Sequence, residues 1–520
     1  MTTRISRRPF LIGGGLVAAT GALAIAVSGC GSSGSSTASA KSLPDGGTLR
    51  WAINANNSWD PVTSAAGNEV RHLSLVYEAL TQLDEQGKAG PGLATSWDFS
   101  NGGKTLTFHL RKGAVFSDGT SVDAAAVKES LDRAQNQTGS VLVQNLASVK
   151  ETKVVDAETV ELDLKQPDYG LPLVLGGKAG MIVSPKAIAA GVTKLPTTPV
   201  GAGPFKLTKF VPDGSSTLVK NDSFFNAKEI HLAEVDLEYL TDPQSILAGL
   251  QSGSLDLASS TGDQVAAAKK AGLTVQQSPS LGLTSIEIND AIKPFDNHKV
   301  IEAINYAIDR NALIKTQNGG IGEPAYQAFP KGYVGYSEDV ANLYPYDPAK
   351  AKALLKEAGY PNGVTIPITY FDSGNYKAIT EQIQAQLAAV GIKSNLQSLP
   401  LAQAAARVYV KHDVAFNPNG IVGRESPLQM LQVQYGADGL LNPGRKASPE
   451  LTAALAKVGT VPTDSPEFAK ALQNATAIAA KQSAVAFLYT LPTVWLETKN
   501  VSGLKDYLVA PRLEGVRVGK

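Results

Sequence analysis

Polar and apolar residues alternate along Thr105-Leu106-Thr107-Phe108-His109-Leu110, the period of a strand with one buried face. An earlier strand is expected at Thr48 to Ile53. Ser117-Asp118-Gly119 reads as a turn, and a helical pattern follows from about Val122 to Ala134. Further along, the period lengthens. Val300, Ala303, Ile304, Ala307 and Ile308 recur at helical steps, which lays one apolar stripe along a helix around Asp296. In DPAKAKALLKEAGYP, Asp347 stands as N-cap and Pro348 as first helical residue. Gly359 ends that helix, with Pro361 beyond. Ala351, Leu354, Leu355 and Ala358 should face its core. From about Tyr376 to Val390, the residues Ile379, Ile383, Leu387 and Val390 form another stripe, stopped by Gly391. Strands and helices mixed in this way predict α/β lobes. Nothing in the apolar faces implies a cofactor.

The start of the chain follows a different logic. A basic head with Arg7 and Arg8 precedes an uncharged run from Leu11 to Val27, and small residues lead from there to Cys30. Basic, apolar and small-residue parts in that order describe an export signal. The paired arginines, with Ser6 before and Phe10-Leu11 after, resemble the twin-arginine signal of bacteria, a route for folded cargo. Val27-Ser28-Gly29-Cys30 resembles the lipobox of bacterial lipoproteins. That resemblance implies a signal peptide over residues 1–29, cleavage before Cys30 and a lipid on its thiol. The alternative is a retained membrane span. At about 17 residues the run is at the short edge for spanning, and Gly13-Gly14-Gly15 weakens a helix. Cys30 as an ordinary buried thiol is a further alternative. Beyond it, Gly31 to Ala40 is small, polar and Gly/Ser-rich, a flexible tether with a reach of about 20 Å. Residues 30–41 are therefore expected to be anchor and tether.

Composition narrows the remainder. The 520 residues include 47 basic and 47 acidic side chains, and removing Arg4, Arg7 and Arg8 leaves a charge of about −3. No basic surplus exists to hold nucleic acid. The length exceeds one small core and calls for two or more lobes. Cys30 is the only cysteine, so stability is expected from packing rather than disulfides. The histidines His72, His109, His231, His298 and His412 are far apart in sequence, with no H-E-x-x-H pair. Each is expected at the surface or behind a site rather than on a metal. No G-x-S-x-G elbow and no Walker loop occurs. Triads assemble from distant positions, so these absences only lower the case for an enzyme such as an exported hydrolase. No catalytic residue, metal site or cofactor is assigned.

Five stretches together resemble one family. They are Ala94 to Ala134, Pro199 to Phe225, Ile246 to Ala258, Pro294 to Ile314 followed by Phe329-Pro330-Lys331-Gly332, and Tyr344 to Gly363 followed by AAVGI. In this order they are similar to the extracytoplasmic solute-binding proteins of ABC transporters, family 5, which bind oligopeptides, dipeptides and nickel complexes. The resemblance implies a two-lobed, type II periplasmic-binding-protein-like α/β fold with an extra N-terminal subdomain and a ligand cleft between lobes. Lobe I would cover about 42–279, with an inserted subdomain at about 91–198. Lobe II would cover 280–490, and 491–520 would return to lobe I. The chain would cross near Gln277 to Leu283 and again near Phe487 to Trp495. Ligand would draw the lobes together by hinge motion. The implied partners are a solute, most simply a short peptide, and an ABC permease and ATPase. A monomer held to the outside of the cell membrane by its lipid is expected. The same fold also serves sugars, metal chelates and non-transport receptors.

The resemblance also places a pocket. In the peptide binders, a lobe II carboxylate within a segment resembling G-D-x-D-P meets the peptide α-amino group. The corresponding stretch here is Ile421-Val422-Gly423-Arg424-Glu425-Ser426-Pro427, with Ser426 where the aspartate is expected. Glu425 stands one residue away. Arg424 is suited to fork onto a ligand carboxylate or phosphate, or else pairs with Glu425 at the surface. Further candidates are Asn54, Asn56 and Trp59 after the first strand, Tyr435 on the helix following Pro427, and Trp495 at the return crossing. Trp and Tyr offer flat contact with a polar tip, and equally serve as core.

Overall fold

Several helix starts in this chain are set by side-chain caps. Asp123 Oδ1 accepts the Ala126 backbone N–H at 2.9 Å, so the helix runs Ala124–Asn136 and begins two residues later than its pattern suggests. Asn297 Oδ1 accepts from the Lys299 N–H at 3.1 Å and opens His298–Ala307. Asp347 Oδ1 accepts from Lys350 at 2.9 Å, with Pro348 in the first turn of Pro348–Glu357. That helix ends before Gly359, whose φ of 93° lies in the left-handed region. The next helix is Tyr376–Ala388. These features belong to a computed structural model that describes residues 43–64, 69–400, 403, 406–482, 484–508 and 510–519. The export signal, Cys30 and the tether expected from the sequence lie outside the described residues.

A seven-stranded sheet organises the first lobe. Its order is Thr274–Ser278, Thr493–Glu497, Leu257–Ser260, Gly47–Ile53, Leu232–Tyr239, Ser215–Lys220 and Phe205–Val211. Gly47–Ile53 runs parallel to both neighbours, and the outer pairings are antiparallel. Trp51, Trp59, Trp495, Phe205 and Leu237 pack its core and are fully buried. Each such side chain contributes roughly 1.5–3 kcal/mol of burial. Gly201 and Gly203 lead into Phe205–Val211 against the end of the helix Val70–Val76. A Cβ at Gly201 would lie 2.2 Å from the Val76 carbonyl oxygen, so only glycine fits. A separate antiparallel sheet takes Ala94–Ser100, Thr105–Leu110, Thr159–Leu164 and Val149–Asp156, and holds its own core with Ala124–Asn136.

The second lobe has a four-stranded antiparallel sheet, ordered Glu323–Pro324, Val485–Thr490, Leu283–Ile288 and Phe416–Ile421. One face carries Ile286, Ile288, Phe416 and Leu488 onto the helices His298–Ala307 and Tyr376–Ala388. The other carries Leu283, Ile421 and Phe487 onto Pro427–Tyr435, Pro449–Gly459 and Pro466–Gln482. The chain leaves the seven-stranded sheet at Ser278 and enters this one at Leu283. It leaves again at Thr490 and re-enters the first sheet at Thr493.

Candidate ligand cleft

The two lobes meet along a seam whose second-lobe side begins at residue 424. Ser426 caps the helix Pro427–Tyr435, its Oγ accepting from the Gln429 N–H at 3.4 Å. This local demand accounts for a short hydroxyl at that position. Gln429 Nε2 in turn donates to the Asn145 carbonyl at 3.3 Å, and the Tyr169 N–H donates to the Gly459 carbonyl at 3.2 Å. Glu425 lies flat against Gly177, where a Cβ would fall 2.2 Å from its Oε1. Arg424 and Glu425 are half-buried and form no ion pair with each other. Both act on Lys178 across the seam. Burial lowers the Lys178 ammonium pKa; Glu69 and Glu425 oppose that and Arg424 adds to it. The Lys178 ammonium donates to the Ser64 carbonyl at 2.7 Å.

On the first-lobe side, the loop after Gly47–Ile53 is locked from beneath. His72 Nε2 donates to the Asn54 carbonyl at 3.0 Å. Burial lowers the His72 pKa to about 4, with that hydrogen bond opposing, so the imidazole is neutral. This histidine is fully buried among Trp59 and Tyr239, so of the two positions expected for it the surface one is excluded and the one behind the Asn54 loop remains. The Asn54 side chain is exposed, whereas Asn56 is fully buried and its Oδ1 accepts from the Ser58 N–H at 3.3 Å. The Trp59 ring stands edge-on to His72 and Phe210 in the core. Asp60 holds the end of the loop by pairing with Arg133, both buried.

Trp495 is also fully buried, packed edge-on against Trp51 at 5.8 Å. Its other side is covered by Arg71, whose guanidinium carbon sits 5.3 Å from the ring centroid. Among the described residues, the Arg71 side chain has no hydrogen-bond acceptor and no ion-pair partner. It is deeply embedded yet partly accessible, and burial lowers its pKa while Asp506 opposes. Asp506 is raised by burial, opposed by side-chain hydrogen bonding with Trp495, Ser278 and Thr493 and by the charge of Arg71. Its Oδ2 is buried without a hydrogen-bond partner. Ser278 and Thr493 are paired at the strand ends where the chain crosses between sheets. Arg71 and Asp506 therefore sit beside the crossings between the two sheets. Sequence reasoning missed both, since a lone arginine on a short apolar helix and a lone aspartate near the C-terminus carry no pattern.

A third polar group lies inside the second lobe. Glu287, on Leu283–Ile288, is buried, and burial pushes its carboxyl up to about 7 with Asn419 and Asn417 opposing. Asn419 Nδ2 donates to Glu287 Oε1 at 2.9 Å and to the Tyr409 hydroxyl at 2.8 Å. Glu287 Oε2, Ser285 Oγ and both amide atoms of Asn417 lack hydrogen-bond partners. Tyr435, from the sequence candidates, is core here, edge-on to Phe487 at 6.2 Å with its hydroxyl buried. The structure thus brings Arg424 and Glu425 to the seam, leaves Asn54 exposed, and buries Asn56, Trp59, Tyr435 and Trp495.

Two α/β lobes, crossed twice by the chain and meeting at a charged seam, define a type II binding-protein fold. Solved structures agree. The binding protein AgaA from A. tumefaciens R10, in complex with agropinic acid, matches with a TM-score of 0.81 and 27% identity over 91% of this chain and 99% of that one. DppA from Helicobacter pylori, in complex with peptide STSA, matches with a TM-score of 0.82 and 26% identity over 92% and 99%. The chain belongs to the bacterial extracellular solute-binding proteins, family 5, whose family model matches residues 88–438. It is 36% identical over 338 residues to the glutathione-binding protein GsiB of Salmonella paratyphi A, covering 64% of this chain. That match spans 65% of the relative, just under two thirds of its length.

Proposed function

We propose that this protein is the substrate-binding lipoprotein of an ABC importer, capturing a short peptide between its lobes and delivering it to a membrane permease and ATPase. The observation that carries this reading is the charged seam. Arg424 and Glu425 reach it from one lobe and Arg71 from the other, without pairing among themselves. A zwitterionic solute offers charges of both signs to such a seam, and closure over it removes water and strengthens every pair. The family and the peptide- and glutathione-binding names of its relatives support the solute class. No group is assigned a catalytic role.

We assign lobe I to about 42–279 with an insertion at about 91–198, lobe II to 280–490, and the return to 491–520. The strand membership of each sheet and the separate cores support these limits. Asn54, Arg424 and Glu425 are proposed to touch ligand directly. Asn56, Trp59, Tyr435 and Trp495 are proposed to support the cleft from behind. Export on a twin-arginine-like signal, a lipid on Cys30 and function as an anchored monomer outside the cell membrane complete the proposal. The test is thermal unfolding of the purified protein with glutathione, di- and tripeptides, sugars and a nickel–histidine chelate. A ligand at 100 times its Kd stabilises by about 2.7 kcal/mol. A shift with peptides alone supports the reading; a shift with sugars or the chelate alone replaces the solute, and none with any of them overturns the receptor. Cys30→Ala should release the protein from membranes, and retention would mean that the apolar run stays as a span.

A further inference from the structure

The two lobes grip each other by two different kinds of contact. Beside the crossings, each lobe sends one apolar side chain into the other. Ile321, in the loop after the second-lobe helix Arg310–Gln317, packs against the first-lobe cluster of Ala52, Ile246, Val494 and Leu496. Leu508, on the returning segment of the first lobe, packs against the second-lobe cluster that holds Leu281, Phe329 and Phe487. The pegs flank the crossings. Ile321 lies on the face of the seven-stranded sheet that carries Val494 and Leu496, and the segment of Leu508 covers the opposite face, with Leu504 and Leu513 in the cluster of Trp51 and Trp495. Both joints are tight. The Gly262 N–H donates to Asn318 Oδ1 at 2.9 Å in a buried setting, and a Cβ at Gly262 would lie 2.6 Å from the Ile321 Cβ. A Cβ at Gly87 would lie 2.7 Å from Leu508 Cδ1 and 3.7 Å from the Tyr333 ring. Where the inserted subdomain meets the second lobe, the grip is polar instead. Asn145 Nδ2 donates to Gln429 Oε1 at 3.4 Å, Gln429 Nε2 donates to the Asn145 carbonyl at 3.3 Å, and the Tyr169 N–H donates to the Gly459 carbonyl at 3.2 Å. Among the described residues, no apolar side chain of the subdomain core joins a second-lobe cluster.

We propose that the lobes turn on the Ile321 and Leu508 pegs and part where the inserted subdomain meets the second lobe, with Asn145 and Gln429 as the catch that releases first. Long, half-buried hydrogen bonds exchange for bonds to water at little net cost, whereas an apolar peg pulled from its socket exposes surface to water with nothing in return. Two crossing strands by themselves allow twist as well as swing. A peg on each face of the sheet removes the twist and leaves one direction of opening. The inference rests on the division into lobes and not on the class of solute.

Paired spin labels on the purified, solute-free protein test it, in a Cys30→Ala background so that only introduced cysteines are labelled. Gln144→Cys with Gln432→Cys spans the catch, Asp263→Cys with Lys315→Cys spans the Ile321 peg, and Gln86→Cys with Lys331→Cys spans the Leu508 peg; all six positions are exposed. The distance distribution of the catch pair should be at least about twice as wide as that of either peg pair, reaching to longer distances. Gln429→Ala should move the catch pair further toward long distances and leave both peg pairs as they were. Ile321→Ala should widen the Asp263–Lys315 pair, and Ile321→Val should widen it less, which covers the case in which Ile321→Ala does not fold. A peg pair as wide as the catch pair, or a catch pair unmoved by Gln429→Ala, overturns the proposal. No solute enters these measurements, so that failure leaves the importer reading standing, and a thermal panel with no binding solute leaves the pivot standing.

Discussion

In the second lobe the Arg310 guanidinium is ringed by oxygen. Its Nε donates to the carbonyls of Ala325 and Phe487 at 3.0 and 2.7 Å, and Nη1 donates to those of Asn305 and Tyr344 at 3.1 and 3.2 Å. Nη2 donates to Asn305 Oδ1 at 2.9 Å, and Tyr326 stacks on the plane at 4.5 Å. Burial lowers its pKa to about 10, far above neutrality, so it stays charged without contacting a carboxylate. In the first lobe the Arg71 guanidinium has only an aromatic ring beneath it and Asp506 at a distance. The same side chain is spent in one place on tying helix ends and strands together, and in the other is left with its donors unspent. The contrast lies in the donors: the fold satisfies those of Arg310, and those of Arg71 have no acceptor among the described residues.

This contrast breaks most visibly at Arg310. Arg310→Leu should cost on the order of 3–5 kcal/mol, because several buried carbonyls lose their donor at once. Denaturant unfolding reads this, and a loss under about 1 kcal/mol would erase the distinction. Glu287 sharpens it next, as the second lobe's own half-saturated group. Its folded pKa lies above its unfolded one, so between the two the folded state holds the extra proton. Stability from this group therefore falls as pH rises from about 4.5 to about 7, and stays lowered above that. Glu287→Gln should leave stability unchanged near pH 4 and raise it by about 1–3 kcal/mol at pH 8, seen in the pH dependence of unfolding. A variant destabilised equally at both pH values would show that the carboxylate is not carrying that cost. The smallest effect is expected at Arg71. Arg71→Gln should change ligand-free stability by no more than about 1 kcal/mol, in either direction, by thermal unfolding. A loss as large as that of Arg310→Leu would make Arg71 a structural arginine after all.

The scaffold was legible because its signals are local. Asp347, Pro348 and Gly359 act within one turn, and the alternation over Thr105–Leu110 reports one face of one strand. The strand limits there coincide with the pattern, whereas the helix at Ala124–Asn136 starts later because its cap is Asp123. The ordered segments identified the family for the same reason, since they are turns, caps and core stripes. The seam is a different kind of object. Arg71 and Asp506 meet there from residues more than four hundred positions apart, and only the crossings at Ser278 and Thr493 bring them near. Ser426 was readable as a departure from an expected aspartate, yet its role as a cap emerges only from the N–H it accepts. Trp59 and Trp495 show the limit most plainly. Their composition suits a ligand wall, and nothing along the chain says that His72 and Arg71 will stand over them.

Gly177 has a mechanical consequence. Glu425 rests where its side chain would be, so the clearance between the jaws at that point is less than one methyl group. Alanine at 177 would displace the end of the Glu425 side chain, which can swing aside, and leave each lobe intact. That offers an engineer a receptor in which one carboxylate at the seam is redirected without touching its charge, so that its position can be weighed apart from its presence.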